Sequence, residues 1–205
     1  MEKNTRSLAA VTQPTLLILP GYNGSGPDHW QTFWEKKFPG CRRVEQRDWG
    51  RPVLADWLAV LDAAVSQAGE NTVLVAHSLA CLLVAHWASA NPRRIKGALL
   101  VAPPDPSEPV FPVESVGFTP VPLKRFTFPS VLAASSNDPY ASLAFSRRIA
   151  AVWGCRFSDV GPLGHINTSS RLGDWPQGLK LLEKVVSPAP LPFGKFGTLI
   201  SQQSQ

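Results

Sequence analysis

Cysteine is scarce in this chain: Cys41, Cys81 and Cys155 are the only three among 205 residues. An odd, widely spaced set implies neither a disulfide framework nor a metal-ligand spacing, and reduced thiols suit the cytoplasm. Long apolar runs are also missing. The stretch 1–14 carries Glu2, Lys3 and Arg6 and has no apolar core long enough for a signal peptide. Leu16-Leu17-Ile18-Leu19 has the length of a buried strand, and nothing approaches a membrane span. A basic run is missing too, despite a net charge of +5 and a pI near 9.4. The basic residues come as short pairs (Lys36-Lys37, Arg42-Arg43, Arg93-Arg94, Arg147-Arg148) at expected helix ends and turns. With no aromatic-interleaved basic segment, a nucleic-acid partner is excluded. There is no internal repeat. No Gly-Lys-Ser/Thr follows the glycine-containing turn Gly21-Tyr22-Asn23-Gly24, which excludes a phosphate-binding loop.

Proline is plentiful, with 20 residues concentrated at Pro103–Pro129 and Pro188–Pro192, where a loop above a site and an extended tail are expected. The 44% apolar share and a mean hydropathy of −0.03 fit a globular protein, and the length fits one domain with a large core. The expected organisation is an extension at 1–14, a domain at 15–186 and a tail at 187–205. Apolar, β-branched runs predict strands at 15–20, 43–48, 72–77, 96–102, 129–135 and 154–160. Helical patterns fall at 28–38, 53–68, 79–90, 140–152 and 175–186. Continuously apolar strands, each followed by a helix, mean a mostly parallel six-stranded sheet with helices on both faces. In such α/β sheets the ligand crevice lies at the carboxyl ends of the strands.

The segment Val73-Leu74-Val75-Ala76-His77-Ser78-Leu79-Ala80-Cys81 is the most telling. A buried strand passes into a helix through one tight turn of small residues, with a serine at its centre. That is the pattern of a nucleophile elbow, which lifts one hydroxyl above a parallel sheet. Ala76 and Ala80 stand where glycine is usual. The competing reading of Ser78 is a helix N-cap. A hydrolase of this architecture then needs an acid and a histidine downstream. His86 lies in the middle of the elbow helix and cannot return to the serine, which leaves His165, in the loop after the last strand. Asp105, Asp138, Asp159 and Asp174 are the candidate acids. Asp138, one strand before the histidine loop, is placed to orient the imidazole, and Asp105 is the reserve. Cys81 reads as a small buried residue.

Several of these segments together resemble one family. Pro20-Gly21-Tyr22-Asn23-Gly24-Ser25, Asp28-His29-Trp30, His77-Ser78-Leu79, Ser136-Asn137-Asp138-Pro139-Tyr140, Gly164-His165-Ile166-Asn167 and Gly173-Asp174-Trp175-Pro176-Gln177-Gly178 carry the likeness. The chain resembles, from about Thr15 to Val186, the small serine hydrolases that include retinoblastoma-binding protein 9 and the bacterial YdeN-type proteins. The resemblance implies the α/β-hydrolase fold, with Ser78 as nucleophile, Asp138 as acid and His165 as base.

The expected activity is hydrolysis of a small acyl ester through an acyl-enzyme, with no cofactor and no metal. The backbone N–H groups of Leu79 and Tyr22 are the expected oxyanion donors. Phe111, Val113, Val116 and Phe118 of the proline-rich span are expected to shape the acyl pocket, and Trp30, Trp34 and Trp49 either line it or pack the core. Thioester and peptide bonds stay open as substrates, as does an acyltransferase using the same residues. A binding module on a hydrolase scaffold is the rival from another class. The Leu-x-Cys-x-Glu pattern is absent, and the sequence names no protein partner.

Overall fold

The computed structural model describes residues 13–91 and 93–187. The predicted extension lies largely outside the described residues, and so does most of the predicted tail. Six strands are present: β1 (Thr15–Leu19), β2 (Cys41–Arg43), β3 (Thr72–His77), β4 (Gly97–Val101), β5 (Ser130–Ala134) and β6 (Arg156–Asp159). Five helices accompany them: α1 (Trp30–Lys37), α2 (Leu54–Ala68), α3 (Leu79–Ala90), α4 (Leu143–Trp153) and α5 (Pro176–Val186). The strands form one sheet in the order β2-β1-β3-β4-β5-β6, and every pairing is parallel.

Two helical layers explain why the strands are apolar at every position instead of every second one. Side chains alternate across a strand. In β3, Leu74 and Ala76 therefore join one buried cluster, with Trp57, Leu61 and Val65 of α2 and Ile149 and Trp153 of α4. Val73 and Val75 point the other way, into a second cluster with Trp30 and Trp34 of α1 and Leu181, Leu182 and Val185 of α5. α3 is buried nearly all round because it packs under α2 as well as on the sheet. Among the described residues no helix is long and apolar enough to cross a membrane.

One strand differs from the sequence reading. β2 spans Cys41–Arg43, not 43–48. It is an edge strand paired with Leu16–Ile18, so its polar Cys-Arg-Arg composition hid it. Beyond Arg43 the chain leaves the sheet, where the guanidinium is held by Glu35 (Nε to Oε1 2.9 Å) and by the Ser25 carbonyl (2.9 Å). Two helices start later than predicted, at the caps that their side chains make. His29 accepts from Gln31 N–H ahead of α1, and Ser142 accepts from Phe145 N–H ahead of α4. Because all strands run the same way, the turns after β1, β3, β5 and β6 open on one edge. Tyr22, Ser78, Asp138 and His165 all lie there.

Candidate active site

Ser78 joins β3 to α3 with φ 55° and ψ −126°, a conformation that costs a residue bearing a Cβ of order 1–3 kcal/mol. Its side chain makes no capping bond to the helix, so the N-cap reading fails. The turn is held by backbone bonds: Ser78 N–H donates to Val101 O (2.9 Å), and Cys81 N–H to Ser78 O (2.8 Å). Ala76 and Ala80 are fully buried, and neither has a positive φ. The elbow thus asks for smallness at those places and not for glycine. The close approach that does require glycine is on the facing loop. A Cβ on Gly21 would stand 2.8 Å from Ser78 Cβ and 2.9 Å from His77 O.

Ser78, His165 and Asp138 form a continuous hydrogen-bonded row. His165 Nε2 lies 2.8 Å from Ser78 Oγ, and His165 Nδ1 lies 2.9 and 3.0 Å from the two carboxylate oxygens of Asp138. A carboxylate can only accept, so Nδ1 carries the proton and the Nε2 lone pair faces the serine hydroxyl. The His165 and Asp138 side chains are 8% and 3% exposed. Asp138 also accepts from Tyr140 N–H (2.9 Å), and the Tyr140 ring lies 4.2 Å from the imidazole.

The other candidate acids are engaged elsewhere. Asp105 accepts from the N–H (2.9 Å) and hydroxyl (2.6 Å) of Ser107, closing a turn. Asp159 accepts from Gly161 N–H (2.9 Å), and Asp174 pairs with Lys37. His86, within α3, is bonded to Phe118 O (3.1 Å). Cys81 is buried, with Sγ 3.4 Å from Val101 O, and burial pushes its thiol pKa up.

A cavity of about 360 Å³ opens on the row, lined by Tyr22, Ser78, Leu79, Tyr140 and His165 among others. The proline-rich span does cover it, but through Pro104, Val110, Pro112 and Glu114. The residues expected to do so are placed otherwise. Phe118 is fully buried against Trp57, Phe111 packs on the core, Val116 bridges to Val53, and Val113 is 88% exposed. A span without regular alternation gives no sequence signal for which side chains turn inward. Trp30, Trp34 and Trp49 are all packing residues: the first two are buried under α1, and Trp49 lies on Trp57 and beneath Gly24.

Sequence reasoning missed the side chains that surround the row. Leu163 N–H donates to Ser135 Oγ (2.9 Å) and Gly164 N–H to Asn137 Oδ1 (2.7 Å). His77 Nε2 donates to His165 O (2.9 Å), and Trp30 Nε1 to Ile166 O (2.8 Å). Side chain to backbone contacts across 88 and 136 residues leave no local pattern, although His77 flanks the serine. His29 packs edge-on to His77 at 4.8 Å, and its pKa is lowered to about 3 by burial, then by Arg43 and His165. Burial likewise keeps His77 neutral, its pKa well below the ordinary value. Among the described residues no three His, Cys, Asp or Glu side chains gather where they could hold a metal ion.

Residues 16–184 match the model of a family described as serine hydrolase. Among solved structures, the chain is similar to a protein described as a YdeN-like hydrolase from Pectobacterium atrosepticum. The two share 30% identity over 85% of this chain and 91% of that one, with a TM-score of 0.75. The ydeN gene product of B. subtilis matches at 24% identity over 84% and 98% of the two chains, TM-score 0.72. A thermophilic esterase from Thermogutta terrifontis shares the fold at 16% identity over 86% and 92%, TM-score 0.59. Comparison with curated proteins gave no match.

Proposed function

Because this chain belongs to the serine hydrolase family, we propose that it hydrolyses small acyl esters, with Ser78 as nucleophile, His165 as proton carrier and Asp138 as the group that orients the imidazole. The observation that carries this reading is the unbroken row from Asp138 through His165 to Ser78, at 2.9 and 2.8 Å.

The chemistry follows from which lone pairs are free. Ser78 Oγ attacks the ester carbonyl as its proton passes to His165 Nε2, and Asp138 stabilises the imidazolium that results. Charge collects on the carbonyl oxygen. The N–H groups of Leu79 and Tyr22 are the donors that meet it: both residues line the cavity, and neither N–H has a backbone partner among the described residues. The tetrahedral adduct collapses when the C–O bond to the alcohol breaks and His165 returns the proton to the leaving oxygen. Water then attacks the acyl-serine and gives its proton to His165; as the acyl C–Oγ bond breaks, His165 passes that proton to Ser78 Oγ, and the carboxylic acid and the free serine are released. A cavity of about 360 Å³ sits at the small end for ligand sites, which favours short acyl groups. Three unpaired thiols fit a reducing compartment such as the cytoplasm.

The test is fluorophosphonate labelling alongside turnover of p-nitrophenyl butyrate, for wild type and Ser78→Ala. Label and turnover on the wild type alone are expected, with unchanged circular dichroism. Turnover surviving in the alanine variant would overturn the assignment. A panel of matched ester, thioester and anilide substrates decides the bond preferred.

A further inference from the structure

The loop that carries His165 is an awkward piece of chain. Gly164 and Ile166, on either side of the histidine, have φ of 59° and 49°. For a β-branched residue such as Ile166 that region is a genuine strain, so the rest of the fold must hold it there. Ile166 is fully buried and the histidine ring nearly so, which leaves the loop little solvent to lean on. Its four successive residues 163–166 are each gripped through the backbone by a side chain from another part of the chain: Ser135, Asn137, His77 and Trp30. Ser135 and Asn137 belong to the turn that bears Asp138, so they register the acid with the base. The other two come from different elements, and both are donors to carbonyls.

We infer that His77 and Trp30 are positioning residues for the general base: their side-chain N–H groups clamp the carbonyls of His165 and Ile166 and set the imidazole's reach to Ser78. His77 is covalently next to Ser78. Its bond to His165 O therefore ties nucleophile and base into one unit, whatever the rest of the loop does. The ring has no freedom to turn away, lying between the imidazoles of His29 at 4.8 Å and His165 at 5.0 Å. A carbonyl only accepts, so Nε2 carries the hydrogen that His77 donates to it. Trp30 is braced in turn by Trp34 at 4.8 Å and Trp175 at 4.9 Å. The tryptophans thus act on the site from beneath the sheet's edge without touching the cavity. Misplacing a reacting group by about 1 Å costs on the order of 10²-fold in rate, so such clamps bear on kcat and not on substrate affinity.

This inference rests on the hydrolase reading, and its test separates the two. His77→Leu removes the donor, whereas His77→Gln places an amide N–H at nearly the same reach. Trp30→Phe keeps an aromatic ring and removes only the indole N–H. With p-nitrophenyl butyrate, kcat is expected to fall about 10- to 100-fold in His77→Leu and Trp30→Phe, with KM within about twofold. His77→Gln should recover most of the loss. The second readout is the far-downfield proton NMR resonance of His165 Nδ1–H on Asp138. It should be sharp in wild type and His77→Gln, and shifted or broadened in the other two. Melting curves identify the folded fraction used for each rate. Wild-type kcat in folded His77→Leu, or a glutamine variant as slow as the leucine one, would overturn the clamp. So would a loss confined to KM. If the wild type neither turns over ester nor takes the fluorophosphonate, the hydrolase reading falls. The downfield resonance in the four proteins then decides the clamp on its own.

Discussion

Lowering the pH should destabilise this protein through His29, and the size of the effect follows from where that ring sits. The side chain is 3% exposed, and its pKa is held at about 3, against an ordinary value of 6.5. Burial is the main cause, with the charges of Arg43 and His165 adding to it. The sign follows from proton counting. Above pH 7 the ring is neutral in folded and unfolded chains, and pH has no hold on it. As the pH falls through 6.5, the unfolded chain takes up a proton that the folded chain refuses until about pH 3, so stability is lost steadily between those values. At pH 5 the loss from this one group is about 2 kcal/mol. His77, depressed in the same direction, adds to it. Carboxyls held low in the fold, such as Asp62, act only below their ordinary range near pH 4. His29→Asn isolates the effect, because the asparagine oxygen can still accept from Gln31 N–H yet does not titrate. Urea unfolding followed by tryptophan fluorescence at pH 8 and pH 5 gives the stability gap between wild type and variant. That gap should shrink by about 2 kcal/mol at the lower pH. A gap equal at both values would refute the claim that the fold excludes the charged ring.

Three further substitutions test the site's construction. In Gly21→Ala the new methyl meets Ser78 Cβ and a backbone carbonyl below 3 Å. Neither can yield, so the loop should lift off the elbow and kcat/KM should drop on the order of 10²-fold, read by ester turnover on folded enzyme. Asp138→Asn should cost on the order of 10⁴ in kcat by favouring the wrong imidazole tautomer. Asp105→Asn, which touches only the turn at Ser107, should leave kcat near wild type, and equal losses in the two would move the acid.

The parts of the fold that sequence revealed are those with a one-dimensional signature. β1, β3, β4 and β5 are continuous apolar runs because both faces are buried, and that pattern cannot be mistaken for solvated loop. Ser78 and Asp138 follow two of these runs and His165 follows the more polar β6, and parallel strands bring all three ends together. The edge strand β2 lies earlier than the sequence predicts because half-exposed Cys-Arg-Arg carries no apolar signal. The cavity wall is illegible in sequence because Phe118 and Val113 sit in a span with no period to tell buried from exposed. The hold that His77, Trp30 and Asn137 have on the histidine loop is illegible in sequence for another reason. Their partners are backbone atoms far along the chain, and a carbonyl has no letter in the sequence.

At one position stability and chemistry compete directly. Ser78 holds φ 55° and ψ −126° against the preference of every residue with a Cβ. Glycine would take that conformation without the steric cost. Ser78→Gly and Ser78→Ala should both be inert, yet the glycine variant should melt higher, by a margin worth about 1 kcal/mol or more. Any selection of this chain for heat resistance alone would therefore discard the proposed nucleophile among its first gains, so a thermostability screen needs turnover scored beside it.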